Sequence, residues 1–210
     1  MKKFILLLSA MFMLGSSPIL AQQSTNVEQT TKQAEKEAKK AQKEAEKAAK
    51  KAEKEAKKAK EEAISNALFD VAVKALEERK FVLKATEVEF KRGHTSHVNS
   101  ANNFVMLDGE EASIQFSSNT AILGPNGMGG LTVDGKASHI EMKTDKKGNI
   151  TFSMSVQGTA VSAKVEFRMS KGNNRCSATI LPNFNSNRTT FSGELVPLTN
   201  ANNVFKGRSF

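Results

Sequence analysis

An α+β fold, mainly β, is predicted for this chain. It comprises an antiparallel β-barrel or sandwich of about eight short strands, preceded by an amphipathic helix and a long Ala/Lys/Glu-rich helical rod. Three observations carry the prediction. Between Lys32 and Glu62 nearly every residue is Ala, Lys, Glu or Gln. After Arg79 the hydrophobic period changes from that of a helix to two. Turn-forming dipeptides then interrupt the alternation at short intervals.

The rod contains only strong helix formers, with no Gly, Pro or β-branched residue from Lys32 to Ala63. Alanines at 34, 38, 41, 45, 48, 52, 56, 59 and 63 keep to one face of a straight helix. The pairs Glu35–Lys39, Glu46–Lys50 and Glu53–Lys57 place acid before base at helical spacing. An alanine stripe buries little apolar area and lacks the Leu or Ile of a coiled-coil seam. A solvated single helix acting as a spacer is therefore expected, and a monomer is favoured over an oligomer formed through the Ala-rich face.

Upstream, Lys2 and Lys3 precede the apolar run Phe4–Leu14, followed by Gly15, Ser16, Ser17 and Pro18, with Ala21 before Gln22. This is the pattern of a secretory signal peptide cleaved after Ala21. No Cys lies near that position, so the expected destination is the periplasm or cell envelope, not as a lipoprotein. The apolar run is too short to span a bilayer, and no transmembrane span is expected. The predicted organisation is a signal peptide over 1–21, a charged helical spacer over 22–63 and a globular β-rich domain over 64–210.

The formal net charge of +9 is spread along the chain, with 12 Lys against 8 Glu in the rod and 17 basic against 13 acidic residues after it. Such a distribution suits an anionic envelope surface or an envelope protein as partner. Nucleic acid is not expected: an exported chain does not meet it, and the interleaved aromatics that stack single strands are missing. Cys176 is the single cysteine, so no intramolecular disulfide forms. It shares an apolar alternation with Ala178 and Ile180, and burial is expected.

After the rod, Ile64, Leu68, Val71 and Leu76, widened by Phe69 and Val73, predict a helix facing the core and ending at Arg79–Lys80. The cleanest strands are Ile150–Gln157 and Val161–Met169, each alternating apolar with polar residues throughout. Shorter patterns cover Phe81–Phe90, Asn103–Leu107, Ala112–Phe116, Ser138–Lys143, Cys176–Leu181 and Thr189–Leu195. The first of these breaks phase at Thr86–Glu87, which predicts a bulge. A domain near 150 residues can fold without disulfides.

Several segments together resemble a known family: Arg79-Lys80-Phe81-Val82-Leu83; Asn102-Asn103-Phe104-Val105; the run from Gly124 to Gly130 leading into Thr132-Val133-Asp134-Gly135; and Val204-Phe205-Lys206-Gly207. The resemblance is to an exported bacterial family defined as a domain of unknown function, DUF4251, and it covers roughly residues 64–210. It implies an exported globular domain and brings no activity, cofactor or catalytic residue with it.

The residues themselves offer little chemistry. Gly124, Pro125, Asn126, Gly127, Gly129 and Gly130 form a Gly-rich loop, but no Lys-Ser/Thr and no helix follow, as a phosphate-binding loop requires. The expected role is a wide turn or bulge with positive φ at several positions, and a loop gating a ligand opening is the alternative. His94 and His97 could share a metal with Glu89 and Asp108 only from an irregular loop. No nucleophile elbow, paired carboxylates or cofactor motif is present. Trp and Tyr are absent, which disfavours a glycan-stacking module, whereas eleven Phe follow the rod. The expectation is an exported envelope protein that is not an enzyme, a structural or interaction module displayed on a helical spacer. The alternative is a β-barrel carrier whose Phe- and Met-lined interior holds a small apolar ligand.

Overall fold

The computed structural model describes residues 24–117, 130–159, 162–183 and 187–207. The predicted signal peptide and Gly124–Gly129 lie outside these residues. One helix, α1 (Ser24–Glu77), is followed by nine strands: β1 (Lys80–Phe90), β2 (Thr95–His97), β3 (Phe104–Asp108), β4 (Glu111–Ser117), β5 (Gly130–Thr144), β6 (Ile150–Gly158), β7 (Ser162–Met169), β8 (Arg175–Pro182) and β9 (Thr189–Pro197). The chain divides into two units within α1, one ending at Glu55 and the other beginning at Ala56.

In the first unit the described side chains are exposed, as the solvated rod predicts. Lys50 and Glu46 form an ion pair at 2.6 Å, whereas Glu53 and Lys57 do not pair. Both partners of the formed pair are largely exposed, and such pairs add little stability.

In the second unit all strands pair antiparallel in the order β2-β1-β3-β4-β5-β6-β7-β8-β9, and β1 also pairs with β9. The sheet therefore closes into an eight-stranded up-and-down barrel, with β2 an extra strand beside the far half of β1. This decides between barrel and sandwich. Alternation assigns the faces: Ile150, Phe152, Met154 and Val156 on β6 are buried, as are Ala163, Val165, Phe167 and Met169 on β7, while their neighbours face outward. The walls are thus apolar inside and polar outside, the inverse of a bilayer-spanning barrel. Among the described residues no helix is long and apolar enough to cross a membrane.

Closure depends on the bulge predicted in β1. The register against β9 shifts between Ala85 and Glu87, which leaves Thr86 as the extra residue. Opposite it stands Gly193, where a Cβ would lie 1.9 Å from the Lys84 carbonyl oxygen. Only glycine lets the two strands come this close. A second bulge, between Ser138 and Glu141 of β5, holds His139 at φ 51° with an exposed side chain. β5 runs on both sides of it, far longer than the predicted Ser138–Lys143.

The last turns of α1 lie across the barrel end at which β1 begins. Ala72, Ala75 and Leu76 join the same buried cluster as Phe81, Phe152 and Phe167, with Phe69 and Val73 packed at its edge. Ser65 Oγ donates to the Gly172 carbonyl at 2.6 Å, fixing the helix to the β7–β8 turn. The predicted core face holds at Leu76, Phe69 and Val73 and is corrected at Ile64, Leu68 and Val71, which are 62%, 46% and 45% exposed. Leu68 and Ile64 lie on the i,i+4 ridge of Ala72 but one and two turns before it, ahead of the buried cluster, and Val71 lies about a quarter turn from Ala72. Small side chains, not large ones, set the approach of helix to barrel.

Met154→Asp and Phe167→Asp each place an unpaired charge in the bore, at a cost of several kcal/mol. Both variants are expected not to fold, whereas Ser153→Asp, on the outer wall, keeps a cooperative thermal transition. Circular dichroism melting curves of the three variants check the assignment of faces.

Candidate functional site

The distribution of phenylalanines divides the barrel interior into a filled end and an open end. Around the closed ring, β1 stands opposite β6. Phe81 on β1 crosses the bore to meet Phe152 on β6 at 5.3 Å and Phe167 on β7 at 5.2 Å, edge to face, and Phe152 and Phe167 also touch at 5.8 Å. The three rings fill the end beneath α1. At the other end, the mouth, Phe90 on β1, Phe116 on β4 and Phe191 on β9 all come from one side of the ring. Phe90 and Phe116 meet edge to face at 5.7 Å, and Phe116 and Phe191 lie 6.4 Å apart. The opposite wall meets them with the ring-free side chains Leu131, Val133, Val156, Ala163 and Ile180, and with Pro182. Large rings on one wall and small side chains on the other leave a cavity of about 190 Å³, lined almost wholly by apolar side chains. It is smaller than the roughly 300–1,000 Å³ typical of pockets for drug-sized ligands. What it can hold is a short apolar group.

A larger concavity of about 410 Å³ lies on the outer wall between Thr86, Glu87, Arg168, Arg175, Ser192 and Glu194. Arg168 pairs with Glu166 at 2.7 Å, and the concavity carries both signs of charge, with Arg175 the register partner of Glu194. It has the character of a solvated groove.

Three of the segments on which the family resemblance rests converge at one buried amide that sequence reasoning did not single out. Gln115 on β4 is fully buried on the outer side of the barrel wall. Its Nε2 donates to the Asn102 carbonyl at 3.1 Å and the Phe205 carbonyl at 2.6 Å. Its Oε1 accepts from Thr132 Oγ1 at 3.1 Å and from the Gly207 backbone N–H at 2.6 Å. All four hydrogen-bonding positions of the amide are thus used. Beside it Asp134 accepts from Ser113 Oγ and pairs with Lys206 Nζ at 2.7 Å. Asn103 Oδ1 accepts from the Ser117 N–H at 2.8 Å, extending the sheet beyond the end of β3. Together these bonds strap the chain's last described residues over β4 and β5. Alternation over Ala112–Phe116 puts Gln115 on the polar face with Ser113, so no local sequence signal marks it as buried.

Of the predicted loop residues, Gly124, Pro125, Asn126, Gly127 and Gly129 lie outside the described residues. Gly130 opens β5 opposite Ser117, without a positive φ; a Cβ there would meet the Phe116 carbonyl oxygen at 1.9 Å, so close strand approach explains it. The histidines and acids do not assemble. His94 stacks on Phe90 with centroids 6.3 Å apart, and His97 sits exposed, 4.0 Å from Glu87. Asp108 is the strand-register partner of Lys80 at the helix end of the barrel, whereas Glu89 is that of Thr95 towards the mouth. Cys176 is buried, and loss of hydration pushes its thiol from an ordinary 9.0 up to about 12.

Gln115→Leu leaves two carbonyls, a hydroxyl and an N–H without their amide partner, each such loss costing roughly 1–3 kcal/mol. The expected result is a lowered urea midpoint, with carboxypeptidase digestion of the tail accelerated before global unfolding. For Cys176 the folded state favours the protonated thiol. Its contribution is complete below pH 9.0 and is lost as pH rises towards about 12. Iodoacetamide is expected to spare the native thiol at neutral pH and modify it on unfolding. Cys176→Ala should reduce the fall in stability over that alkaline range.

Comparison with known proteins agrees with this architecture. No curated protein matches the chain. Among solved structures, a DUF4251 family protein from Bacteroides eggerthii DSM 20697 is similar at 45% sequence identity, with a TM-score of 0.58, covering 66% of this chain and 93% of that one. Residues 63–195, which run from the last turns of α1 to β9, match the family described as Domain of unknown function (DUF4251), and the chain belongs to that family.

Proposed function

We propose that this protein is an exported envelope barrel, without catalytic activity, that binds a small apolar ligand in its mouth. The observation that carries the reading is the cavity between Phe90, Phe116 and Phe191 on one wall and Val133, Val156 and Ala163 on the other. An eight-stranded barrel either fills its bore with side chains or keeps room for one small ligand. This one fills the helix end and keeps room at the mouth. Burying an apolar group there contributes roughly 25 cal/mol per Å² removed from water. Export rests on the signal-like amino-terminal sequence, and the Ala/Lys/Glu-rich part of α1 serves as a spacer. A non-catalytic role is supported by the dispersal of His94, His97, Asp108 and Glu89 and by a protonated, buried Cys176.

A second reading, an interaction module displayed on the spacer, is favoured by one observation: the exposed apolar stripe Ile64, Leu68 and Val71 on α1. It is compatible with ligand binding at the opposite barrel end.

Uptake of N-phenylnaphthylamine, a neutral apolar dye that brightens out of water, tests the first reading. The purified protein is expected to enhance its fluorescence saturably. Ala163→Phe, which fills the cavity from the wall facing the rings, is expected to abolish the signal while keeping the circular dichroism spectrum. Absence of enhancement with the unmodified protein, or equal enhancement with the filled variant, refutes binding in the mouth.

A further inference from the structure

Among the described residues, the charges that lie beyond the strand ends at the mouth are basic. The described mouth ends of β4 to β8, residues 112–117, 130–133, 150–159, 162–163 and 176–183, hold no charged residue. The cations come from the two strands that close the barrel. Phe90 and Thr189 are register partners, and both line the cavity. One residue further out on each strand stand Lys91 and Arg188. The chain then turns tightly, with the Gly93 N–H donating to the Phe90 carbonyl at 2.8 Å and the Phe90 N–H to the His94 carbonyl at 2.9 Å. Arg92 is thereby presented at the tip beside the cavity. Arg92 and Arg188 are exposed, and neither takes part in an ion pair among the described residues. The nearest acid on these strands, Glu89, stands between Thr95 and Thr190 at the outward-facing register positions of the wall. At the helix end, by contrast, Asp108, Glu110, Glu111 and Asp145 mix with Lys146, Lys147 and Lys171.

An apolar recess with Arg92 and Arg188 beyond its lining strands is complementary to a molecule with an apolar chain and an anionic head. Resting on the proposed mouth-binding reading, we infer that the ligand is a single acyl-chain carboxylate taken from solution. Its chain lies between Phe90, Phe116 and Phe191, and its carboxylate meets Arg92 and Arg188. Guanidinium suits this role, since its planar donors match the two oxygens of a carboxylate. The recess admits one chain inside the barrel, whereas adhesion to a bilayer would call for a broad apolar or basic outer surface, and the outer walls alternate Ser, Thr, Lys and Glu.

Isothermal titration of the purified protein with decanoate and with decanol tests the inference. Decanoate is expected to bind more tightly at low salt, and the difference is expected to shrink as salt is raised, because the rim is exposed. Arg92→Gln/Arg188→Gln should weaken decanoate binding about three- to tenfold and leave decanol binding unchanged, the size set by two exposed ion pairs. Equal affinities for the two compounds, unchanged by the double variant, overturn the inference while leaving mouth binding intact. Failure of both compounds to bind overturns the mouth-binding reading itself. Sedimentation with phosphatidylglycerol vesicles that is lost in the double variant but kept in Ala163→Phe would assign the rim to a membrane surface and overturn the free-ligand inference.

Discussion

The bore of an eight-stranded barrel is a fixed volume, and the rest of this structure follows from how its inward side chains share it. Closing the ring sets the diameter; side chains then either meet across the bore or leave space. Phe81, Phe152 and Phe167 meet because they rise from opposed walls, and their contact makes one end solid. Phe90, Phe116 and Phe191 carry similar bulk but share one side, and the same volume rule leaves the mouth hollow. The hollow end is thus a property of which strand bears each ring, not of how many rings there are.

Much of this was legible in the sequence because period-two alternation is a local signal. β1 with its bulge, β6, β7, β8 and β9 lie close to where alternation placed them. Three kinds of feature were not legible. The barrel's closure is a pairing of distant segments, which alternation in either strand alone does not encode. The helix face was misjudged in part because residue size suggested Ile64, Leu68 and Val71, whereas the geometry of a helix laid over a barrel end favours the small Ala72 and Ala75. The Gln115 network was hidden because its partners, Asn102, Thr132, Phe205 and Gly207, are scattered along the chain and three of them contribute backbone atoms. The mouth cavity joins this group: each lining residue reads as ordinary core until the ring order places large side chains opposite small ones.

The two ends of the barrel have different characters for the same reason that they have different connections. At the helix end the turns are short and tightly bonded; Asp145 accepts from Asn149 Nδ2 at 2.8 Å and from the Asn149 and Lys147 backbone N–H groups at 2.9 and 2.8 Å, and these bonds hold its carboxyl below the usual range. At the mouth, among the described residues, the cations Lys91, Arg92 and Arg188 stand beyond the β1 and β9 ends. Rigidity and recognition are thus separated along the barrel axis, with α1 and the Phe trio at one end and the hollow, basic rim at the other.

The β1–β9 pairing also governs the order in which the chain can fold. Hairpins such as β3–β4, β6–β7 and β8–β9 join neighbours and form with little loop entropy, but Phe81 meets Pro197 only across nearly the whole domain. Such non-local contacts place the barrel among slowly folding topologies. Until β9 arrives, the β1 edge and the rings on it have no partner, so the ring closes last.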